Sequence, residues 1–253
     1  MMPKIEVMGL PLHAGDLALA QAQVLRWLRA GERQYICHVN VHTLVESWRD
    51  ARLHDALAHA GMAATDGMPL VWLLRRRGAG QAGRVYGPDL MTALLASGEH
   101  VQGRPLRHFL FGGSPALLAQ LRRAIQQKFP GADIVGCLAP PFRPFTAAED
   151  AAHAAAIDAS GADIVWVGLG APRQEIWMRA QRETLQVPLL VGVGAAFDFI
   201  AGNKPWAPPW MQRHGLEWAF RLASEPRRLA GRYGRTIPLF LLRLLRDEWR
   251  RRQ

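Results

Sequence analysis

The segment TDGMPLVW (65–72) holds the first residue whose type and position could do chemistry. The run MAAT (62–65) before it is typical of a strand and the residues after it start a helix, so Asp66 would lie at the mouth of a sheet. A carboxylate there can accept a proton from an incoming hydroxyl group, which is the task of a general base. An acid in front of a helix is equally suited to capping that helix. The spacing alone leaves both roles open.

A second candidate is the glycine-rich segment VGLGAPRQEIWM (167–178). Gly168 and Gly170 let the backbone approach a ligand closely, and free N–H groups at the start of the next helix suit a phosphate. Arg173 and Gln174 add planar polar groups that would point into the same crevice. An ordinary turn between a strand and a helix has the same composition, so the segment alone does not decide between the two.

Two further segments carry polar residues near glycines. In VGVGAAFDFIAG (191–202), Gly194 is again a glycine near the end of a predicted strand. Asp198 in the same segment is either a buried acid with a local partner or a ligand contact. In RVYGPDLM (84–91), Arg84 could reach a diphosphate, because a guanidinium forms paired hydrogen bonds to phosphate oxygens. We therefore count Gly194 and Arg84 among the candidates for donor binding.

Several familiar catalytic patterns are absent from the sequence. The nine histidines show no HxH or HExxH spacing, and no DxD follows a predicted strand. There is no GxSxG elbow, and the glycines do not form GxGxxG followed by an acid about 20 residues later. We therefore expect a site with no metal and no cofactor. Arginines, lysines and helix N-termini would then stabilise the negative charge of a leaving group.

The elements that must position these residues alternate along the chain. The apolar runs are continuous and rich in Val, Ile and aromatics, as in parallel strands covered on both faces. Strands alternating with helices build a parallel sheet, and ligands bind beyond its carboxyl edge. We predict an α/β fold, a Rossmann-like, mostly parallel sheet with helices on both faces. The predicted strands are 34–41, 62–65, 107–113, 133–139, 163–170 and 188–196, and the predicted helices are 41–60, 115–129, 146–160 and 171–186.

The composition of the chain changes after Gly202. The segment 203–215 is dense in Pro and Trp, which disfavours a regular element and indicates a boundary. Helical patterns follow over 215–224 and 225–253, and the second is expected to break near 231–234 and at Pro238. We predict that the chain has two parts, an α/β catalytic core over 1–202 and a basic amphipathic helical appendage over 203–253.

The appendage concentrates the charge of the chain. The formal net charge is +10, and from Lys204 onward twelve Lys and Arg residues stand against four acids, a surplus of +8. The last segment, 236–253, has Leu and Trp at helical spacing with an arginine flank, which favours a helix lying in a lipid interface. Packing on the core, a contact between copies of the chain, or nucleic acid are the alternatives, but no motif that reads nucleic acid occurs.

The remaining composition fits a cytoplasmic globular protein. The chain has 253 residues, 49% of them hydrophobic, which is enough to bury a large core. Two cysteines without a CxxC pair argue against a disulfide scaffold. The N-terminus lacks the pattern of a secretion signal, and no stretch approaches about 20 uninterrupted apolar residues. The sequence leaves the oligomeric state open.

Seven segments together resemble the WecG/TagA/CpsF glycosyltransferase family (glycosyltransferase family twenty-six). Each segment is weak evidence alone, but their order along nearly the whole chain is specific. The segments are VNVHTLV (39–45), TDGMPLVW (65–72), RVYGPDLM (84–91), FLFGGSP (109–115), DIVWVGLGAPRQEIWM (163–178), the run 191–222 and EPRRL (225–229).

The resemblance implies an inverting, metal-independent enzyme that uses a UDP-sugar donor and a polyprenyl-diphosphate-linked sugar acceptor. It implies that Asp66 is the catalytic base, that Asn40 lies beside it, and that Gln174 helps to hold the donor. It also implies that arginines of the appendage approach the diphosphate, with these candidates: Arg221, Arg227 and Arg228. The expected location is the inner face of the bacterial cytoplasmic membrane, reached through the C-terminal helices.

One position departs from the family pattern. Relatives often carry Thr two residues before the Asn, where this chain has His38, which we place with the residues that bind the acceptor or its diphosphate. The donor sugar therefore stays open among N-acetylmannosamine, its uronic acid, glucose and others. Two other classes are weighed: a dinucleotide-binding oxidoreductase, and a non-catalytic membrane or nucleic-acid adaptor.

Overall fold

The computed structural model describes residues 2–250, except for the side chain of Arg228. Within this range ten strands and twelve helices alternate. The strands are β1 (Lys4–Val7), β2 (Leu10–His13), β3 (Gln34–Val39), β4 (Met62–Thr65), β5 (His100–Val101), β6 (Arg104–Pro105), β7 (Arg107–Gly112), β8 (Asp133–Leu138), β9 (Ile164–Gly168) and β10 (Leu189–Gly192). The helices are α1 (Leu17–Ala30), α2 (Val41–Ser47), α3 (Ala51–Ala58), α4 (Met68–Arg76), α5 (Gly87–Ala96), α6 (Pro115–Lys128), α7 (Ala147–Ala159), α8 (Arg173–Gln181), α9 (Ala196–Ile200), α10 (Pro209–Arg213), α11 (Glu217–Ser224) and α12 (Pro226–Arg250).

Eight of the strands described form one sheet in the order β1-β2-β4-β3-β10-β9-β7-β8. Every pair in it is parallel except β1 with β2. Neighbouring residues of β9, Val165 and Trp166, belong to different buried clusters, because successive side chains of a strand point to opposite faces. Both faces are thus covered by helices. The predicted α/β fold with a mostly parallel sheet is confirmed.

All six predicted strands are present, but some boundaries differ. The predicted helix 41–60 is two helices, because Asp50 caps α3 with its side chain accepting from the N–H of Arg52 at 2.9 Å. The helix predicted over 171–186 ends at Gln181. The strands β1 and β2 form an edge hairpin, and β5 and β6 a separate short one, that the sequence patterns did not indicate.

The predicted break in the last helix is wrong. The helix α12 runs from Pro226 to Arg250 through Pro238, although that proline has no N–H to donate to the preceding turn. Leu229 and Phe240, on either side of the proline, are both buried, and α12 packs along α2. This packing outweighs the missing hydrogen bond.

The segment rich in Pro and Trp is also more regular than expected. It contains the five-residue helix α10, which begins with Pro209 in its first turn, where a proline is tolerated.

The appendage packs against the core near the middle of α12 and near its end. Thr236 of α12 lies 3.5 Å from the ring of His42 on α2 (Oγ1 to Nδ1). Near the end of the helix, Arg77 forms an ion pair with Asp247 and lies 3.7 Å from Glu248. No helix within residues 2–250 is long and apolar enough to cross a membrane. The functional division at residue 202 stays a prediction.

Candidate active site

Two cavities lie side by side along the carboxyl edge of the sheet. The first cavity, of about 410 Å³, crosses the ends of β3, β10, β9 and β7. The second cavity, of about 380 Å³, lies between the starts of α2 and α4 on one side and α11 and α12 on the other, with a largely apolar wall. The residues that line both are Asn40, His42, Asp66, Arg221 and Arg232.

Asp66 lies at the junction of the two cavities and does not cap α4. The N-cap residue of that helix is Gly67, and no side chain caps it. The N–H of Asp66 donates to the carbonyl of Val39 at 2.8 Å, which continues the pairing of β4 with β3. The chain therefore holds the half-buried carboxylate at the sheet edge without using it for the helix.

The surroundings raise the pKa of the Asp66 carboxyl from 3.8 to about 7. Burial is the largest cause, and the negative charge of Glu217 raises it further. The positive charges of Arg84 and Arg221 and a hydrogen bond from Asn40 act in the opposite direction. A carboxylate with a pKa near neutrality is more basic than an ordinary Asp and is still ionised in about half of the molecules near pH 7, so it can take a proton from a reacting hydroxyl.

Asn40 orients this carboxylate. As the N-cap of α2, its Oδ1 accepts from the N–H of Thr43 at 3.1 Å and from the hydroxyl of the same residue at 3.2 Å. Because the amide oxygen is engaged, the amide nitrogen donates the hydrogen bond to Asp66. The structure thus brings together the two residues predicted to be catalytic.

His38 lines the first cavity rather than the second. Its Nδ1 lies 2.9 Å from the carbonyl of Val85, which can only accept, so Nδ1 carries the proton and Nε2 is an acceptor. Burial lowers the pKa of His38 to about 4, and the side chain is 7% exposed. Its Nε2 has no hydrogen-bond partner among the described residues. A neutral His38 carries no charge for a diphosphate, and its Nε2 atom is buried.

Gln174 connects the two glycine-rich turns that line the first cavity. Its Oε1 accepts from the N–H of Gly170 at 3.2 Å and from that of Gly194 at 3.1 Å. These two N–H groups are therefore bonded within the protein and are not the free phosphate donors that the sequence suggested. Gly168 is needed for packing, because a Cβ there would lie 2.7 Å from the Phe197 ring.

Glu175 is a site residue that the sequence analysis missed. It is 0% exposed, lines the first cavity, and accepts from Gln174 Nε2 at 2.8 Å through its Oε1. Burial raises its pKa to about 7, and its Oε2 has no partner in the described part of the chain. An acid in the first turn of a helix is ordinarily exposed, so the sequence does not indicate that Glu175 is buried. Its position next to Gln174 in the sequence was the only sign of a role.

The structure places Arg84 away from the glycine-rich turns, so its predicted contact with the donor stays a prediction. This arginine lines the second cavity and not the first, which holds the glycine-rich turns. It forms an ion pair with Glu217 of α11, lies 3.3 Å from Asp89, and donates to Gln212 Oε1 at 2.7 Å. Arg84 therefore ties α10 and α11 to the core beside Asp66. The sequence offered no sign of partners more than 120 residues away.

Arg173 lines neither cavity, so its predicted contact with a donor is not supported. Its Nη2 donates to the carbonyls of Pro141, at 3.3 Å, and Arg143. Its guanidinium also lies 4.2 Å from the centre of the Phe145 ring. Arg173 thus holds the loop between β8 and α7.

The predicted arginines of the appendage separate into different environments. Arg221 lines both cavities, whereas Arg227 is exposed and lines neither. The side chain of Arg228 lies outside the part that the structure describes. Two cationic residues that the sequence analysis did not single out, Lys204 and Arg232, line the first cavity. Their signal in the sequence was only the general surplus of positive charge.

No cluster of three or more His, Cys, Asp or Glu side chains within residues 2–250 is arranged to hold a metal ion. The cationic side chains that line the first cavity are Lys204, Arg221 and Arg232.

The sequence model described as Glycosyl transferase WecG/TagA/CpsF family matches residues 5–253, nearly the whole chain. The chain therefore belongs to this family, and the resemblance stated above is confirmed. Members of the family transfer sugars in polysaccharide biosynthesis, so the chain is a transferase of this kind.

Proposed function

We propose that this member of the WecG/TagA/CpsF glycosyltransferase family moves a sugar from a UDP-sugar to a polyprenyl-diphosphate-linked acceptor. The transfer inverts the anomeric centre and needs no metal. One observation carries the proposal: Asp66, with its pKa raised to about 7, lies where two cavities meet. A base at such a junction is in reach of one substrate from each side.

The first cavity suits the donor. Lys204, Arg221 and Arg232 line it, and positive side chains stabilise the charge that develops on a departing diphosphate. His38 lines the same cavity with a neutral ring. Because this ring is larger than the Thr that relatives often carry there, we propose that His38 helps to determine which sugar binds.

The second cavity suits the acceptor. Its wall is largely apolar, as expected for the first isoprene units of a lipid carrier, and it ends at the exposed face of α12. Arg221 and Arg232 line it as well and are near enough to the junction to contact the acceptor diphosphate. The apolar residues of the wall are Val41, Met68, Pro69, Trp218, Leu229, Ile237, Phe240 and Leu241.

The chemistry is a single displacement. An acceptor hydroxyl attacks the anomeric carbon of the donor and gives its proton to the Asp66 carboxylate, while the bond from that carbon to the UDP oxygen breaks. Asn40 keeps the carboxylate in position through its hydrogen bond. Attack from the face opposite UDP inverts the anomeric configuration, and UDP leaves with its electrons and charge.

The appendage would bring this site to its lipid substrate. Exposed apolar side chains on one side of α12 stand next to arginines, a composition typical of helices that lie in an anionic lipid interface. The proposed location is the inner face of the bacterial cytoplasmic membrane. The exposed apolar residues are Ile237, Leu241, Leu242, Leu245 and Trp249.

The test is a transfer assay with the full chain. A panel of UDP-sugars, including UDP-glucose, UDP-N-acetylmannosamine and its uronic acid, is incubated with a lipid-diphosphate-linked sugar in detergent and excess EDTA. The proposal expects one donor to give UDP and a glycolipid whose new linkage, read by NMR, is inverted. Retention of configuration, or a product that forms only when a divalent metal is restored, would contradict the proposed mechanism.

A further inference from the structure

A tryptophan of α11 presents an open ring to the second cavity. Trp218 is 45% exposed and lines the second cavity, together with Asp66, but not the first. We propose that the indole of Trp218 is the surface on which the ring of the acceptor sugar stacks. The inference rests on the proposed function, because it requires an acceptor in which a sugar is joined to a lipid through a diphosphate.

The lining of the second cavity changes from charged to apolar along α12. Arg221 and Arg232 line both cavities and therefore mark the junction, whereas Ile237 and Leu241 line only the second cavity. Leu241 lies about 13 Å from Arg232 along the helix axis, at a rise of about 1.5 Å per residue. A lipid chain that follows α12 away from the junction leaves its diphosphate at the arginines and its sugar toward Asp66.

Helix α11 carries an aromatic ring and a cation at the spacing that this order requires. Arg221 follows Trp218 by three residues, so the two side chains are neighbours on the helix surface, with their Cβ atoms roughly 5–6 Å apart. In the acceptor, the first sugar is bonded directly to the diphosphate. A diphosphate at Arg221 therefore brings this sugar next to Trp218, in the cavity that Asp66 also lines.

Neighbouring contacts fix the position of the Trp218 ring. The Tyr233 ring of α12 meets it nearly at a right angle, with the two ring centres 6.2 Å apart. Glu217, the preceding residue, forms an ion pair with Arg84, which also donates to Gln212 Oε1 at 2.7 Å. These bonds tie the start of α11 to the core. A ring that is fixed before the ligand arrives loses little conformational entropy on binding.

The chemistry of an indole matches one face of a sugar ring. The C–H bonds of a pyranose carry a small positive charge, and the face of an aromatic ring is its negative part. Tryptophan also gives a large contact area at a low entropic cost, because its side chain has few rotatable bonds. Stacking leaves the hydroxyl groups at the rim of the sugar free, so that one of them can approach Asp66.

The test is steady-state kinetics of the full chain with the UDP-sugar that supports transfer and a water-soluble acceptor. This acceptor is a sugar diphosphate joined to a short prenyl chain, used without detergent or lipid. Trp218→Ala is expected to raise the KM for this acceptor roughly 5- to 30-fold, the effect of losing one aromatic contact in a binding site. The value of kcat should change little, because the contact is present in the ground state and in the transition state alike. The Kd of UDP, measured by isothermal titration, should remain that of the wild type, because Trp218 does not line the first cavity.

Two further variants separate stacking from other apolar contacts. Trp218→Phe keeps a flat ring and should retain most of the acceptor affinity. Trp218→Leu keeps an apolar side chain without a flat face and should lose most of it. The comparison of these two variants does not depend on the stability of Trp218→Ala. Trp210→Ala is the matched control, because Trp210 on α10 is 53% exposed and lines neither cavity, so its KM should be that of the wild type.

Each other outcome is decisive. If the wild-type chain transfers no sugar to any such acceptor, the proposed function and the stacking contact are both wrong. If the wild type is active and Trp218→Ala or Trp218→Leu keeps the wild-type KM, only the stacking contact is wrong. The same conclusion holds if Trp210→Ala raises the KM equally. It also holds if Trp218→Ala impairs transfer only to acceptors in lipid vesicles, because the ring would then be a membrane contact.

Discussion

At the scale of single residues, the proton affinity of Asp66 is set by charges that come from distant parts of the chain. Burial and Glu217 raise its pKa, while Arg84 and Arg221 lower it. Glu217 and Arg221 both belong to α11, so the appendage takes part in tuning a group on the core. The pKa of about 7 is the balance of these opposing effects.

A base with this pKa predicts a pH profile. The ionised form of Asp66 is active, so kcat/KM should be level at high pH and fall about tenfold per pH unit below a pKa near 7. Glu217→Gln removes a charge that raises this pKa, and it also removes the partner of Arg84. Both effects favour the ionised carboxylate, so the acid limb should move to lower pH.

Asp89→Asn is the matched control for this shift. Asp89 also pairs with Arg84, at 3.3 Å, but Asn leaves the negative charge of Glu217 beside Asp66 in place. Its acid limb should move less than that of Glu217→Gln. An acid limb that stays in place or moves to higher pH in Glu217→Gln would refute the assignment of the limb to Asp66.

At the scale of elements, one side chain joins the two turns that form the wall of the first cavity. Gln174, at the start of α8, accepts N–H bonds from the turn after β9 and from the turn after β10. Glu175 accepts from its amide nitrogen and so fixes which end of the amide is the oxygen. One amide group therefore links the two turns beyond the point where the pairing of β9 with β10 ends.

Gln174→Leu should loosen both turns at once. Two N–H groups lose their acceptor, at a cost of about 1–3 kcal/mol each where they stay out of water. The melting temperature should fall by about 2–4 °C for each kcal/mol lost, and UDP affinity should fall with it. Differential scanning calorimetry measures the first effect. Gln126→Leu, on the exposed side of α6, is the control that should change neither quantity. A Gln174→Leu chain with wild-type melting and UDP affinity would disprove the role of the amide.

Most of the sheet was predictable from the sequence, because buried parallel strands are continuous apolar runs and glycine-rich turns follow them. The hairpin of β1 and β2 was not, since each strand has only four residues and neither has a regular pattern. The course of α12 through Pro238 was not either, because its cause is packing against α2 rather than local propensity.

In the candidate site, the position of Asp66 at the end of a strand followed from the sequence pattern, whereas Asn40 and His38 were named through the family resemblance. All three lie close together because β3 and β4 are neighbours that end at one edge. The burial of Glu175 and the contacts of Arg173 and Arg84 could not be predicted, because they depend on partners that are distant in sequence. Such partners become visible only in the folded chain.

At the scale of the whole molecule, charge and exposed apolar surface are concentrated in the appendage. Residues from Lys204 onward hold +8 of the net +10. Leu242, Leu245 and Trp249 of α12 are exposed at helical spacing, while Leu229 and Phe240 of the same helix are buried against the core. The helix therefore has one face for the core and another that remains open.

The open face predicts binding to anionic vesicles. The double variant Leu242→Asp and Leu245→Asp should lower the partition coefficient more than about tenfold, because each leucine contributes about 1.5–3 kcal/mol when buried. Its melting temperature should stay that of the wild type, since both side chains are exposed. Binding of the wild type should also weaken with salt. Leu19→Asp on α1, 45% exposed, is the matched control. Equal loss in that control would refute a role specific to α12.

The central claim is that Asp66 takes the proton of the acceptor hydroxyl while UDP is held by other groups. The direct measurement is kcat of Asp66→Asn beside the Kd of UDP for the same variant. Asn has the same size but cannot serve as the base, so kcat should fall roughly 10²- to 10⁴-fold. UDP affinity should be retained or rise, because a negative charge next to the diphosphate is removed. A variant that keeps wild-type turnover, or one that loses UDP binding together with kcat, would contradict this account.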